Sequence, residues 1–220
     1  MLENLRSVVT KVISPICRWL LRIGVTPDAV TWAGTIGTVL VSMIFFPQGW
    51  LWQGVVVLLV FIFSDLLDGT MARQSGRSSK WGAFLDSTLD RIADGAVFGG
   101  LALYFAGPAD SVLWCGAAIG ALVFGQVTSY SKARGESLGI PVHGGLAGRA
   151  DRLFLGLLGA LLTGLGIAWA LPAAVAVLCL AGAITVGQRM FIVHRAIQQA
   201  AEQRAEEARS FLVPRVQKFM

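Results

Sequence analysis

Apolar residues run along this chain in stretches too long for the core of a soluble domain, and polar clusters interrupt them at intervals. Near the start, Leu2, Leu5, Val8, Val9, Val12, Ile13 and Ile16 recur at helical spacing, with Arg6, Lys11, Arg18 and Arg22 among them. That mixture predicts an amphipathic helix lying on a membrane surface over residues 1–23. Gly24 can end it, and Thr26-Pro27 reads as the N-cap and first-turn proline of the next helix. Six apolar segments follow, near 28–46, 50–73, 80–106, 111–134, 147–168 and 172–198. Each approaches or exceeds the roughly 20 residues that span about 30 Å of hydrocarbon. Pro47, Gly107-Pro108 and Pro172 punctuate three of the connections. The pattern predicts an all-α membrane protein. Six transmembrane helices over 24–198 follow the interfacial helix, and a polar tail occupies 199–220.

Composition agrees. The 220 residues are 55% hydrophobic and 14% charged, well below the quarter that a soluble surface needs. Mean hydropathy is +0.68. Charge then sets an orientation. The connections near 47–50, 107–111 and 168–172 hold no Lys or Arg, and all 18 such residues fall on the other side. The positive-inside rule therefore predicts a multi-pass protein of the cell membrane, with both termini and the 73–80 and 132–152 connections in the cytoplasm. A net charge of +5 suits anionic headgroups and phosphate-bearing substrates, and no nucleic-acid partner is expected. Cys17, Cys115 and Cys179 lie far apart in apolar settings, without metal-ligand spacing.

Four carboxylates stand out against this background. Asp65 and Asp68 close the second segment at i,i+3; Asp86 and Asp90 open the third at i,i+4. Each pair occupies one face of its helix, and the short connection makes the two helices antiparallel neighbours. An Asp buried at bilayer depth costs about 3 kcal/mol, so four unpaired ones cost roughly 12 kcal/mol. Arg73 and Arg91 cannot neutralise them all. Two divalent cations can, because carboxylate oxygens are the ligands that Mg²⁺ and Mn²⁺ prefer, and paired ions suit phosphoryl chemistry. Structural salt bridges, or the proton path of a cation- or proton-coupled transporter, are the alternative uses of such acids. Gly69, Ala72, Gly82 and Ala83 leave space beside the acids, while Arg73, Ser78 and Ser79 supply groups for a phosphate.

The stretch reads D65-x2-D68-G69-x2-A72-R73-x8-G82-x3-D86-x3-D90. It resembles the signature of the CDP-alcohol phosphotransferases at every motif position. The resemblance implies six spans with a surface N-terminal helix, a homodimer, and two Mg²⁺ or Mn²⁺ ions per active site. Asp65, Asp68 and Asp86 would hold the first ion; Asp65, Asp86 and Asp90 the second. Asp90 would also be the general base. Gly69, Arg73 and Ser79, with Asp28, Ala29, Val30 and Thr31, would bind CDP-diacylglycerol within the inner leaflet.

A second cluster bears on the acceptor. Lys132, Arg134, Arg149, Arg152, Arg189 and Arg195 gather at the same end of the predicted bundle. Arg189 lies deep enough to be costly unless it faces a polar cavity. Together they point to a pocket for a second anion. The stretches "SYSKARGESLG" and "GRADRL" and the late "QR" resemble the actinobacterial branch of the family that uses inositol phosphate. That resemblance implies acceptor-phosphate binding by Lys132, Arg152 and Arg189. The rival acceptor is glycerol phosphate, but "LDSTLDR" lacks the proline and lysine of the "LDPxxDK" pattern common among those enzymes.

Overall fold

The computed structural model describes residues 13–76, 79–142, 144–146 and 148–217, and within them the side chains of all but 65, 66 and 205–217. Every regular element there is helical: α1 (13–22), α2 (Pro27–Phe45), α3 (Leu51–Ile62), α4 (Ser64–Gln74), α5 (Lys80–Ala106), α6 (Val112–Ser137), α7 (Arg149–Gly164) and α8 (Ala170–Gln217). Most of the expected surface helix falls on residues 1–12, outside the described residues. Its last turns form α1, which ends where Gly24 takes φ +86, the left-handed region that favours glycine. Thr26 then caps α2, its Oγ1 accepting from the Ala29 amide at 3.2 Å, and Pro27 sits in the first turn.

The apolar face of α1 docks on the bundle. Cys17 is fully buried against Val30 and Met71, with Leu20, Leu21 and Leu67 around them. Its thiol donates to the Leu67 carbonyl at 3.6 Å, and burial pushes the thiol pKa up. Arg18 and Arg22 stay exposed.

One expected segment is not continuous. The stretch 50–73 breaks at Phe63 into α3 and α4. Ser64 Oγ turns back to donate to the Phe61 carbonyl at 2.5 Å, and a hydroxyl inserted into the helical ladder is a recognised source of a kink. The same hydroxyl lies where a Cβ on Gly34 would come within 1.9 Å, so a side chain at position 34 would displace the Ser64 hydroxyl from the break.

Six long elements close a ring in the order α2, α5, α6, α8, α7, α3 and back to α2, with α4 resting on α2. Phe46, Leu51, Leu58, Phe98, Leu101, Phe105, Leu171 and Leu178 fill its centre. Buried polar residues, among them Asp68, Asp94, Arg152 and Arg189, collect at one end. Among the described residues, four segments are long and apolar enough to cross a membrane: Pro27–Gln48, Leu51–Gln74, Val112–Ser137 and Ala170–Arg204. The other two of the expected six differ for physical reasons. Helix α5 has 27 residues but carries Asp86, Asp90, Arg91 and Asp94, and α7 has only 16 residues. Helix α8 runs on past the expected end at 198 for a total of 48 residues, about 72 Å, more than twice the hydrocarbon thickness.

Candidate active site

The polar end begins with a cavity of about 310 Å³ between α2, α4 and α5. Two helix N-termini open onto it. From α2 come Pro27, Asp28 and Thr31; from α5 come its cap Ser79, then Gly82, Ala83 and Asp86. Ser79 Oγ accepts from the Gly82 amide at 3.0 Å, which fixes the first turn of α5. Helix N-termini favour anions through free amides and the helix dipole. Helix α4 completes the wall with Asp68, Gly69, Ala72 and Arg73. Arg73 is steadied by donating to Thr70 Oγ1 at 3.2 Å.

Asp68 is nearly buried, and its Oδ2 accepts from Thr31 Oγ1 at 2.6 Å. The structure thus brings Asp68 and Asp86 to one cavity, along with Asp28, Thr31, Gly69, Arg73 and Ser79. It does not bring Ala29 or Val30 there. The Ala29 amide serves the cap of α2, and Val30 packs on Cys17 and Met71. The Asp65 side chain, Ser78 and His143 lie outside the described residues.

Asp90 sits one turn beyond Asp86 on α5 and meets a different partner. Its Oδ1 lies 2.8 Å from Arg149 Nη2, at the first residue of α7. Asp94, one turn further and 4% exposed, gathers three guanidinium groups. Arg149 Nε approaches it at 3.2 Å, Arg152 Nη2 at 3.4 Å and Arg91 Nη2 at 3.9 Å. Asp94 and this use of Arg149 were not anticipated. The signal was present in sequence, because Asp86, Asp90 and Asp94 continue one i,i+4 row.

The three cations expected to bind an acceptor phosphate align on α6. Arg152, 3% exposed, lies over Gly125, where an added Cβ would be 3.0 Å from its Nε. Arg189 Nη1 donates to the Thr128 carbonyl, and its Nη2 to the Gly144 carbonyl at 3.2 Å. Lys132 is exposed and lies 3.8 Å from Glu136. Residues 125, 128 and 132 share one face of α6 over about 10 Å of axis.

The donor chemistry fits Mg²⁺ or Mn²⁺, since every candidate ligand is a carboxylate oxygen. Among the described residues no three such groups are close enough together to hold an ion; of the expected ligands, Asp68 and Asp86 line the cavity, with Asp28 at its edge accepting from the Trp81 indole at 3.1 Å. The polar end therefore combines two helix N-termini, carboxylates and a group of arginines, of which Arg152 and Arg189 are buried, a set suited to moving a phosphoryl-linked group.

Known proteins agree with that chemistry. A family profile described as CDP-alcohol phosphatidyltransferase matches residues 24–136. The phosphatidylinositol phosphate synthase of Cutibacterium acnes is 56% identical over 206 residues, which cover 90% of this chain and all of that one. The crystal structure of the Mycobacterium tuberculosis phosphatidylinositol phosphate synthase with CDP-DAG bound superposes with a TM-score of 0.80 at 40% identity, over 83% of this chain and 94% of that one. The same enzyme in complex with manganese and citrate gives 0.77, also at 40% identity, over 82% and 88%. With its fold, its carboxylate cavity and its sequence all pointing one way, this chain belongs to the CDP-alcohol phosphatidyltransferase family.

Proposed function

We propose that this chain transfers the phosphatidyl group of CDP-diacylglycerol to inositol phosphate, giving phosphatidylinositol phosphate and CMP. One observation carries the reading. The cavity under two helix N-termini and the cluster of Arg91, Arg149 and buried Arg152 share helix α5, with Asp86 facing the first and Asp94 the second.

The diphosphate of the donor sits in the cavity against Arg73, Ser79 and the first turns of α2 and α5. Asp28 and Thr31 meet the nucleotide end. Asp65, Asp68, Asp86 and Asp90 would hold two Mg²⁺ or Mn²⁺ ions, which supply charge neutralisation at the phosphoryl oxygens. Asp90 takes the proton from the acceptor hydroxyl. The acceptor oxygen bonds to the phosphorus that carries diacylglycerol, and the bond from that phosphorus to CMP breaks. Positioning and electrostatics do most of the work in such transfers.

Lys132, Arg152 and Arg189 grip the acceptor's own phosphate. A charge-assisted hydrogen bond to phosphate contributes about 1.5–3 kcal/mol. Arg189→Gln is expected to raise the KM for inositol phosphate roughly tenfold or more, with the apparent affinity for CDP-diacylglycerol little changed. An unchanged KM in steady-state kinetics would remove Arg189 from the acceptor site.

The chain acts as a six-span homodimer in the cell membrane, among the lipids of the inner leaflet. Residues 1–23 lie on the surface and both termini face the cytoplasm, together with the tail from 199. The lack of Lys and Arg in three alternate connections supports this orientation. Single cysteines placed at Ser79 and at Gln48 are expected to label from opposite sides of sealed vesicles. Labelling from one side would overturn the map.

A further inference from the structure

We propose that Trp81 is a positioning residue for the donor nucleotide: its indole N–H holds the Asp28 carboxylate toward the base, and through it selects cytidine over uridine. That role rests on the reading of the cavity between α2, α4 and α5 as the CDP-diacylglycerol site, with Asp28 at the nucleotide end.

Three observations carry it. Trp81 Nε1 donates to Asp28 Oδ2 at 3.1 Å. The bond ties the first turn of α2 to the first turn of α5, the two helix ends that open onto the cavity. Gly82 and Ala83 line that cavity and Trp81 does not, so the indole reaches a bound nucleotide only through Asp28. Second, the indole is braced. Its ring lies against Phe84 one turn on, with centroids 6.0 Å apart and planes at 32°. Both rings are exposed at the start of α5, and a membrane interface is where an indole with one polar edge is favoured. Tryptophan has only two side-chain torsions, so holding it in place costs little entropy. Third, the carboxylates of the cavity divide their work. Among the described residues Asp28, Asp68 and Asp86 line it. Asp68 and Asp86 are the expected ion ligands, which leaves Asp28 for the nucleotide.

An ionised carboxylate only accepts hydrogen bonds. Cytosine presents an amino group on its pairing edge, which a carboxylate can accept from; uracil presents a carbonyl oxygen at the same place, which a carboxylate repels. The discrimination depends on aim. An Asp in the first turn of a helix can instead fold back on nearby backbone amides. The indole N–H engages Oδ2 and holds the group across the gap between α2 and α5, while Oδ1 keeps lone pairs for the base.

The test uses CMP and UMP as competitors of CDP-diacylglycerol, on the purified full-length enzyme with Mg²⁺ and inositol phosphate. Wild type is expected to bind CMP more tightly than UMP. Trp81→Phe keeps the aromatic contact with Phe84 and loses the N–H. It is expected to lower the ratio of the UMP to the CMP inhibition constant roughly three- to tenfold, the scale of one hydrogen bond. The KM for inositol phosphate is expected to change little. Neither inhibition constant depends on the folded fraction, so a purely structural role for Trp81 lowers the rate and leaves the ratio unchanged. Asp28→Ala is expected to lower the ratio at least as much, and adding Trp81→Phe to it to lower it no further, because the indole acts through the carboxylate. An unchanged ratio in Trp81→Phe, or a further fall in the double variant as large as in the single one, overturns the proposal. Asp28→Ala also separates this from the reading beneath it. Unchanged inhibition constants there take Asp28 away from the nucleotide, and the role of Trp81 falls with it. A lowered ratio in Asp28→Ala beside a wild-type ratio in Trp81→Phe removes Trp81 alone.

Discussion

Asp90→Asn is expected to stop phosphatidyl transfer while leaving CDP-diacylglycerol bound. The substitution keeps the shape of the side chain and removes its ability to take a proton. Loss of a general base costs about 10²–10⁴ in rate, and loss of a carboxylate ligand for a divalent ion adds to that. Binding of the donor is expected to change little because Arg73, Ser79 and the caps of α2 and α5 lie around another cavity, which Asp86 rather than Asp90 lines. Initial rates of CMP release, set beside a direct binding measurement, read the two effects separately. Turnover near the wild-type rate would take Asp90 out of the mechanism.

Asp68→Asn is expected to weaken metal dependence and activity together. Asp68 is nearly buried and accepts a 2.6 Å hydrogen bond from Thr31, so its carboxylate is held in one orientation toward the cavity. An amide there keeps the packing and the acceptor oxygen but loses a ligand charge. Even the outer partners of metal ligands contribute 10–100-fold to metal affinity, so roughly that range or more is expected for a ligand itself. A titration of activity with Mn²⁺ should show half-saturation moved to higher concentration, and direct Mn²⁺ binding should move with it. Unchanged half-saturation in both would show that Asp68 does not hold the ion.

Local chemistry carried much of the fold. Thr26-Pro27 marked the start of α2 because a hydroxyl cap and a first-turn proline act within one turn of chain. Asp68 and Asp86 could be placed near one another because helical spacing and a short connection constrain them strongly. What escaped depends on contacts between distant elements. The break at Phe63 arises from where the Ser64 hydroxyl points and from the close approach of α2 at Gly34. Val30 turns away from the cavity because α1 docks Cys17 against it. Asp94 continued the acidic row of α5, but its purpose emerges only when α7 brings Arg149 and Arg152 alongside. Those same charges keep α5 from matching a simple apolar span, even though its 27 residues are long enough.

Product identity shows which alcohol accepts the phosphatidyl group. Purified protein in detergent receives CDP-diacylglycerol and Mg²⁺ with inositol phosphate, glycerol phosphate or free inositol as the sole acceptor, and the lipid formed is identified by mass. Phosphatidylinositol phosphate and CMP are expected in equal amounts with inositol phosphate, and little lipid product with the other two. Preferred use of glycerol phosphate or free inositol, or no metal-dependent CMP release with any acceptor, would contradict transfer to inositol phosphate.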